Sequence, residues 1–183
     1  AAAILNNYGE RLDSIMQKFY EMTIAGCKRR LPLCEVNEHL DIAAFVMFGD
    51  VEITEKSAAE LLKKCPPHDV IVTAEAKGCR HYFVARKGTK LYMTHPLGVE
   101  VKSITTDHVQ HLYLSQEEVE QLRGKRVLIA DDVISTGESL AAVEKLVQEA
   151  GGNIVGCAAV LAEGDAADRS DIIYLEKLPL FFK

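Results

Sequence analysis

The amino-acid sequence predicts an α/β protein with a central, mostly parallel sheet flanked by helices. Two observations lead there. Apolar runs of strand length recur at residues 42–48, 70–74, 82–85, 127–130, 154–161 and 172–175. The run at 127–130 contains no polar residue, which suits a strand buried on both faces of a parallel sheet. Between the last runs, Leu140, Val143, Leu146 and Val147 instead share one helical face. Strands that alternate with helices favour parallel pairing.

The elements follow in order. Leu5, Leu12, Ile15, Met16, Phe19 and Met22 are spaced near the helical period, so residues 4–25 are expected to form a helix that Leu31-Pro32-Leu33 breaks. The strand at 42–48 ends at Gly49-Asp50, and Ser57 with Glu60 forms a capping box for a helix through Lys64. Pro66-Pro67 stops that helix before the strands at 70–74 and 82–85. Residues 99–104 alternate, 109–114 can return beside them, and Thr105, Thr106, Asp107 and His108 supply a polar tip. After the run at 127–130 a helix starts near Glu138 and ends at Gly151-Gly152, and strands follow at 154–161 and 172–175. The expected organisation is an N-terminal helix and accessory element over 1–50, an α/β core over 51–176 and a tail over 177–183. No internal repeat or low-complexity segment is present.

Composition narrows the function classes. The chain has 183 residues and a formal net charge of −6, with no long basic run, which argues against nucleic acid as the main partner. Lys28-Arg29-Arg30 reads as a solvated helix exit. No segment approaches the ~20 apolar residues that span a membrane. The opening residues 1–8 lack the basic start and apolar core of a signal peptide. The five cysteines, at 27, 34, 65, 79 and 157, form no Cys-x-x-Cys pair, so reduced thiols in a cytoplasmic protein are expected. His95, His108 and His111 lack zinc-ligand spacing, and no metal ligand is assigned to the protein itself.

The chemistry concentrates after the run at 127–130. Asp131 and Asp132 come first, then a turn containing Ser135, Thr136, Gly137, Glu138 and Ser139 at the start of a helix. Such a turn directs backbone N–H groups and hydroxyls at one spot, which suits a phosphate dianion. The acidic pair cannot face that phosphate without repulsion, and the two hydroxyls of a ribose suit it instead. A sugar phosphate fits the whole. An ordinary strand–turn–helix with capping residues is the alternative. Neither a Gly-x-x-x-x-Gly-Lys-Ser/Thr loop nor a Gly-x-Gly-x-x-Gly fingerprint occurs. Upstream, Thr73-Ala-Glu-Ala-Lys-Gly78 follows a strand. There Lys77 offers a cation, and Gly78 lets backbone approach an anion closely. Arg86-Lys-Gly-Thr-Lys90 sets three cations around one glycine, which matches the charge of a diphosphate.

Four apolar residues, two acids, two apolar residues and a Thr-Gly turn over 127–139 closely resemble the 5-phosphoribosyl-1-pyrophosphate (PRPP) motif of type I phosphoribosyltransferases. Glu138 is the departure, since many members carry a small residue there. Glu75, Ala76, Lys77 and Gly78 resemble that family's pyrophosphate loop, and Arg86-Lys87 its pair before a mobile hairpin, here about 86–114. With those loops the chain is most similar to the purine (adenine and xanthine) enzymes.

The resemblance implies the type I phosphoribosyltransferase fold, with a small hood built from the chain ends and a flexible hairpin. It implies transfer of phosphoribosyl from PRPP to a nucleobase, adenine first, with Mg²⁺ bound mainly through PRPP and a homodimeric assembly. Asp131, Asp132 and Lys87 become the catalytic residues. Residues 135–139 hold the 5′-phosphate, and Glu75, Ala76, Lys77, Gly78, Arg86, Lys87 and Lys90 the pyrophosphate. The base falls to residues 30–50 or to the segment after Leu161, including Glu163 and Asp165. Orotate enzymes usually carry a lysine-richer hairpin. Non-catalytic regulators of this fold usually add a DNA-binding domain with a basic surface.

One spacing departs from the family. Only Cys79, Arg80 and His81 separate Gly78 from Tyr82, where the family has a helix and parallel neighbours ordinarily need about ten linking residues or more. Either those strands are not parallel neighbours or a helix-sized segment is missing near Gly78–Arg80. The second is the expectation.

Overall fold

A computed structural model of the chain describes residues 18–47, 49–73, 82–102 and 109–183. In chain order the elements are β1 (Phe19–Ile24), β2 (Cys27–Asn37), β3 (Leu40–Ala43), α1 (Val51–Lys64), β4 (Val70–Thr73) and β5 (Tyr82–Val84). Then come β6 (Leu97–Lys102), β7 (Val109–Leu114), α2 (Gln116–Leu122), β8 (Arg126–Ile134) and α3 (Glu138–Glu149). The last are β9 (Asn153–Glu163), a 3-10 turn (Gly164–Asp168), β10 (Ile172–Leu178) and β11 (Phe181–Phe182).

The central sheet is five-stranded in the order β10-β9-β8-β4-β5, and all four pairings are parallel. From β4 the chain moves outward to β5, then returns to the other side of β4 for β8 and continues to β9 and β10. The direction of progression therefore reverses between β4 and β8. In open parallel sheets that reversal opens a crevice at the carboxyl ends of the strands.

Two cores cover the sheet. On one face, α3 buries Leu140, Val143, Leu146 and Val147 against Val72, Val127, Ile129 and Ala159. On the other, Ile53 of α1 joins Val160, Leu161 and Leu178 with Ile24, Leu31 and Phe45. Adjacent β9 residues Ala159 and Val160 thus enter different cores.

The expected N-terminal helix is not formed where the chain is described. Residues 19–24 are a strand, paired antiparallel with β2, and the remainder of that expectation lies outside the described residues. Tyr20, Met22 and Ile24 point inward while Phe19, Glu21 and Thr23 are exposed, a period of two. Ala25 and Gly26, both with positive φ (49° and 79°), make the two-residue turn that hairpin twist favours. Strands β1, β2, β3 and β11 form an antiparallel sheet in that order, so the carboxyl-terminal segment closes against the amino-terminal hairpin.

Three further boundaries differ. The apolar run at 42–48 is in strand only as far as Ala43. Helix α1 begins at Val51, capped by the Asp50 side chain accepting from Ile53 N at 3.2 Å, so Ser57 lies inside the helix, fully buried, and caps nothing. Ser115 and Glu118 instead form a capping box, for α2, which the sequence reading did not assign.

Strands β4 and β5 are parallel neighbours, which removes the first of the two readings of the short link. Closure of that link does not demand a helix. With Ile71 opposite Tyr82, Thr73 and Tyr82 are two residues apart along the strands and one strand apart sideways. That is about 8 Å, well within reach of eight linking residues. The ten-residue rule assumes longer strands than these.

The expected hairpin is formed in its described part. Strands β6 and β7 pair antiparallel from Leu97↔Leu114 to Lys102↔Val109. Val99, Leu112 and Leu114 are buried in the α3 core, and Lys145 Nζ of α3 donates to Glu100 O at 3.1 Å. The base of this hairpin is thus fixed to the sheet-facing helix. Its expected polar tip lies outside the described residues.

Candidate active site

Asp131 and Asp132 lie within β8, where they were expected just after it. The pairing explains why. Strand β4 stops after Val72↔Ile129, whereas β8 continues with β9 alone through Val133↔Leu161 and Ile134↔Ala162. Asp131 to Ile134 therefore overhang the end of β4, at the reversal point of the sheet. Asp131 Oδ1 accepts from Asp132 N at 3.0 Å, and Asp132 Oδ1 accepts from Val133 N at 2.8 Å. Each carboxylate is oriented by the next backbone N–H, and both residues are half-buried. Two acids at the mouth of a crevice form a pair of acceptors suited to neighbouring hydroxyls.

The turn after β8 is built around Gly137. Its φ of 81° is left-handed, and it occupies the N-cap of α3 without offering a side-chain acceptor. The helix N-terminus, with its partial positive charge, opens directly onto residues 135–139. Thr136 Oγ1 accepts from Glu138 N at 3.4 Å and braces the turn. Nη1 of Arg169, the far end of a flexible side chain, lies close over this glycine, so a Cβ at 137 would push it aside. Arg169 arrives from the β9–β10 connection, where Asp171 takes its Nε at 3.0 Å and its Nη2 at 2.6 Å. That pairing raises the arginine above its usual pKa and lowers Asp171 below the ordinary carboxylate range. Arg169 lies outside the motif, and only its close Arg-x-Asp spacing marks it in the sequence.

The proposed cations divide. Arg86 lies at the end of β5 and is tied down: Nη1 donates to both carboxylate oxygens of Glu118, at 2.8 and 3.0 Å, and to Val84 O at 3.1 Å. Its backbone also exchanges two hydrogen bonds with Tyr113 of β7. Lys87 and Lys90 are exposed. Since β4 separates β5 from β8, these lysines leave the sheet two strands from the acidic pair, about 10 Å away laterally. Glu75, Ala76, Lys77 and Gly78 lie outside the described residues. Glu163 ends β9 at the same sheet edge and is 8% exposed, whereas Asp165 is exposed.

Residues 86–178, half of the chain, match the family model of the phosphoribosyl transferase domain. The chain belongs to the phosphoribosyl transferase family. The chain is 42% identical over 48 residues to adenine phosphoribosyltransferase of Corynebacterium efficiens, an alignment covering 26% of the chain and 25% of that relative. It is 31% identical over 113 residues to the adenine phosphoribosyltransferase of Cenarchaeum symbiosum, covering 57% of the chain and 66% of the relative. The chain thus spans about a quarter of the length of the first of these relatives and less than two thirds of the second. In fold it is similar to adenine phosphoribosyltransferase of Thermoanaerobacter pseudethanolicus, with a TM-score of 0.58 at 23% identity over 91% of this chain and 99% of the other.

Proposed function

We propose that the protein transfers the 5-phosphoribosyl group of PRPP to a ring nitrogen of a purine base, adenine first, and releases pyrophosphate. The observation that carries this reading is the overhang of Asp131 and Asp132 at the sheet reversal, followed at once by the glycine-capped turn of α3. One end of that arrangement accepts from ribose hydroxyls and the other donates to a phosphate. The similarity to adenine phosphoribosyltransferases of Corynebacterium efficiens and Cenarchaeum symbiosum supports the choice of base.

The reaction moves charge in a defined way. As the bond from ribose C1 to pyrophosphate breaks and the base nitrogen arrives, positive charge grows on the ribose ring and negative charge on the leaving group. Asp131 and Asp132 hold the ribose hydroxyls and face the growing positive charge. Residues 135–139 fix the 5′-phosphate and so set C1 for in-line attack. Lys87 and Lys90, with Lys77, receive the pyrophosphate. Arg86 positions the end of β5 through Glu118 and contributes its field.

Mg²⁺ carried on PRPP fits this donor set. Asp131 and Asp132, half-buried just before the phosphate turn, are the carboxylates that would face an ion bound mainly through substrate. When bound, that ion neutralises the leaving pyrophosphate. The base falls to residues 30–50, which include most of β2 and all of β3, or to the segment after Leu161 with Glu163 and Asp165. A cytoplasmic homodimer completes the reading. Among the described residues no helix is long and apolar enough to cross a membrane.

The test is a base screen. Protein with PRPP and Mg²⁺ is offered adenine, guanine, hypoxanthine, xanthine, uracil and orotate, and pyrophosphate release is recorded. Release with adenine above all others is expected. Release with orotate alone would replace the purine assignment, and PRPP binding with no release for any base would replace catalysis with regulation.

A further inference from the structure

Arg169 follows the 3-10 turn on the β9–β10 connection, yet its guanidinium lies over Gly137 on the β8–α3 connection. The two connections leave neighbouring strands at the same sheet edge. Asp171 binds one edge of the guanidinium through Nε and Nη2, which fixes its plane and leaves Nη1 as the nitrogen directed at the turn. Two considerations argue that this is more than a surface ion pair. The Arg169 side chain is 35% exposed and that of Asp171 61%, and an ion pair so open to water adds little to stability. Moreover, although Glu138 in the first turn and Glu144 further along bring carboxylates of α3 near the arginine, a cation beside a helix N-terminus is set against the partial positive charge of that terminus. An anion seated between them turns this repulsion into attraction on both sides.

We propose that Arg169 is a further binding residue for the 5′-phosphate, its Nη1 donating to the phosphate held by residues 135–139, with Asp171 as the positioning residue that aims it. The inference rests on that turn being the phosphate site. It adds a contact from outside the strand–turn–helix motif. It also gives Gly137 a second role, because any side chain there would displace the arginine.

Ribose 5-phosphate is the probe, titrated calorimetrically at several salt concentrations against wild type, Arg169→Gln, Arg169→Lys and Asp171→Asn, with Tm recorded for each. Arg169→Gln should weaken binding about tenfold or more, the loss of one charge-assisted hydrogen bond. Its affinity should also depend less steeply on salt, at unchanged Tm. Arg169→Lys should recover part of the loss, and Asp171→Asn should show a smaller one. Wild-type affinity in Arg169→Gln would overturn the inference and leave the phosphate turn standing. A weakening matched by a fall in Tm, with the salt dependence unchanged, would assign Arg169 a structural role and overturn it also. A wild-type protein that does not bind ribose 5-phosphate would remove the phosphate turn itself, and this inference with it.

Discussion

Glu118 serves Arg86 and Ser115 with one carboxylate. It accepts from Arg86 Nη1 through both oxygens, at 2.8 and 3.0 Å, and its Oε2 also accepts from Ser115 N at 2.8 Å to close the capping box of α2. The end of β5, the start of α2 and the end of β7 thus meet at one side chain that is 14% exposed. Glu118→Ala should lower the unfolding free energy by about 2 kcal/mol, combining a lost cap with an unpaired arginine. Glu118→Gln keeps an acceptor for the cap and should cost about half as much. Urea midpoints at equal m-value measure both losses, and a Glu118→Gln midpoint equal to that of wild type would mean that the ion pair contributes nothing.

The acidic pair should be separable from the fold. Asparagine keeps an Oδ1 acceptor, so the contacts with Asp132 N and Val133 N survive in Asp131→Asn with Asp132→Asn. The double variant should retain its far-ultraviolet spectrum and melt within a few degrees of wild type. Turnover at saturating PRPP should fall about a hundredfold or more, the size expected for removing charge aimed at a reacting centre. Wild-type turnover in this variant would contradict the proposed role.

Acid should loosen the amino edge of the sheet through Asp69. Its carboxylate accepts from Arg126 backbone N at 2.9 Å and from the guanidinium at 3.2 and 2.7 Å, and these bonds hold its pKa down at about 2. The folded value is depressed, so the stability it contributes is fully present above the unfolded value of about 4 and is lost as pH falls toward 2. Between those limits wild type should lose stability more steeply than Asp69→Asn. Parallel curves in that window would show that the contact is not formed in solution.

Thiol reactivity should follow burial. Burial first, and then the nearby Glu144 carboxylate, pushes the Cys157 thiol up to about 12, while Cys34 is exposed. At pH 8, alkylation of the native protein should label Cys34 within minutes and Cys157 only after unfolding. Peptide mapping reports the order, and early labelling of Cys157 would show that α3 opens from β9.

The sequence by itself determined what is local. Val127 to Ser139 carries strand, acidic pair, glycine turn and helix start in thirteen consecutive residues. Each of these features comes from chemistry that acts over a few positions, such as apolar runs, left-handed glycine and helix capping. The apolar runs likewise announced the parallel sheet. What the tertiary structure decided depends on partners distant in the chain. Residues 19–24 are spaced ambiguously between period two and the helical period, and pairing with β2 chose the strand. The Glu118 carboxylate that fixes Arg86 comes from a helix 32 residues further along the chain, and no local pattern pairs the two. Arg169 carried only its close Arg-x-Asp spacing, because it reaches Gly137 from the connection that follows a neighbouring strand. The reversal between β4 and β8, which opens the crevice and lets Asp131 and Asp132 overhang it, follows from strand order. That order is fixed by which apolar faces bury best together, and no short window of residues encodes it.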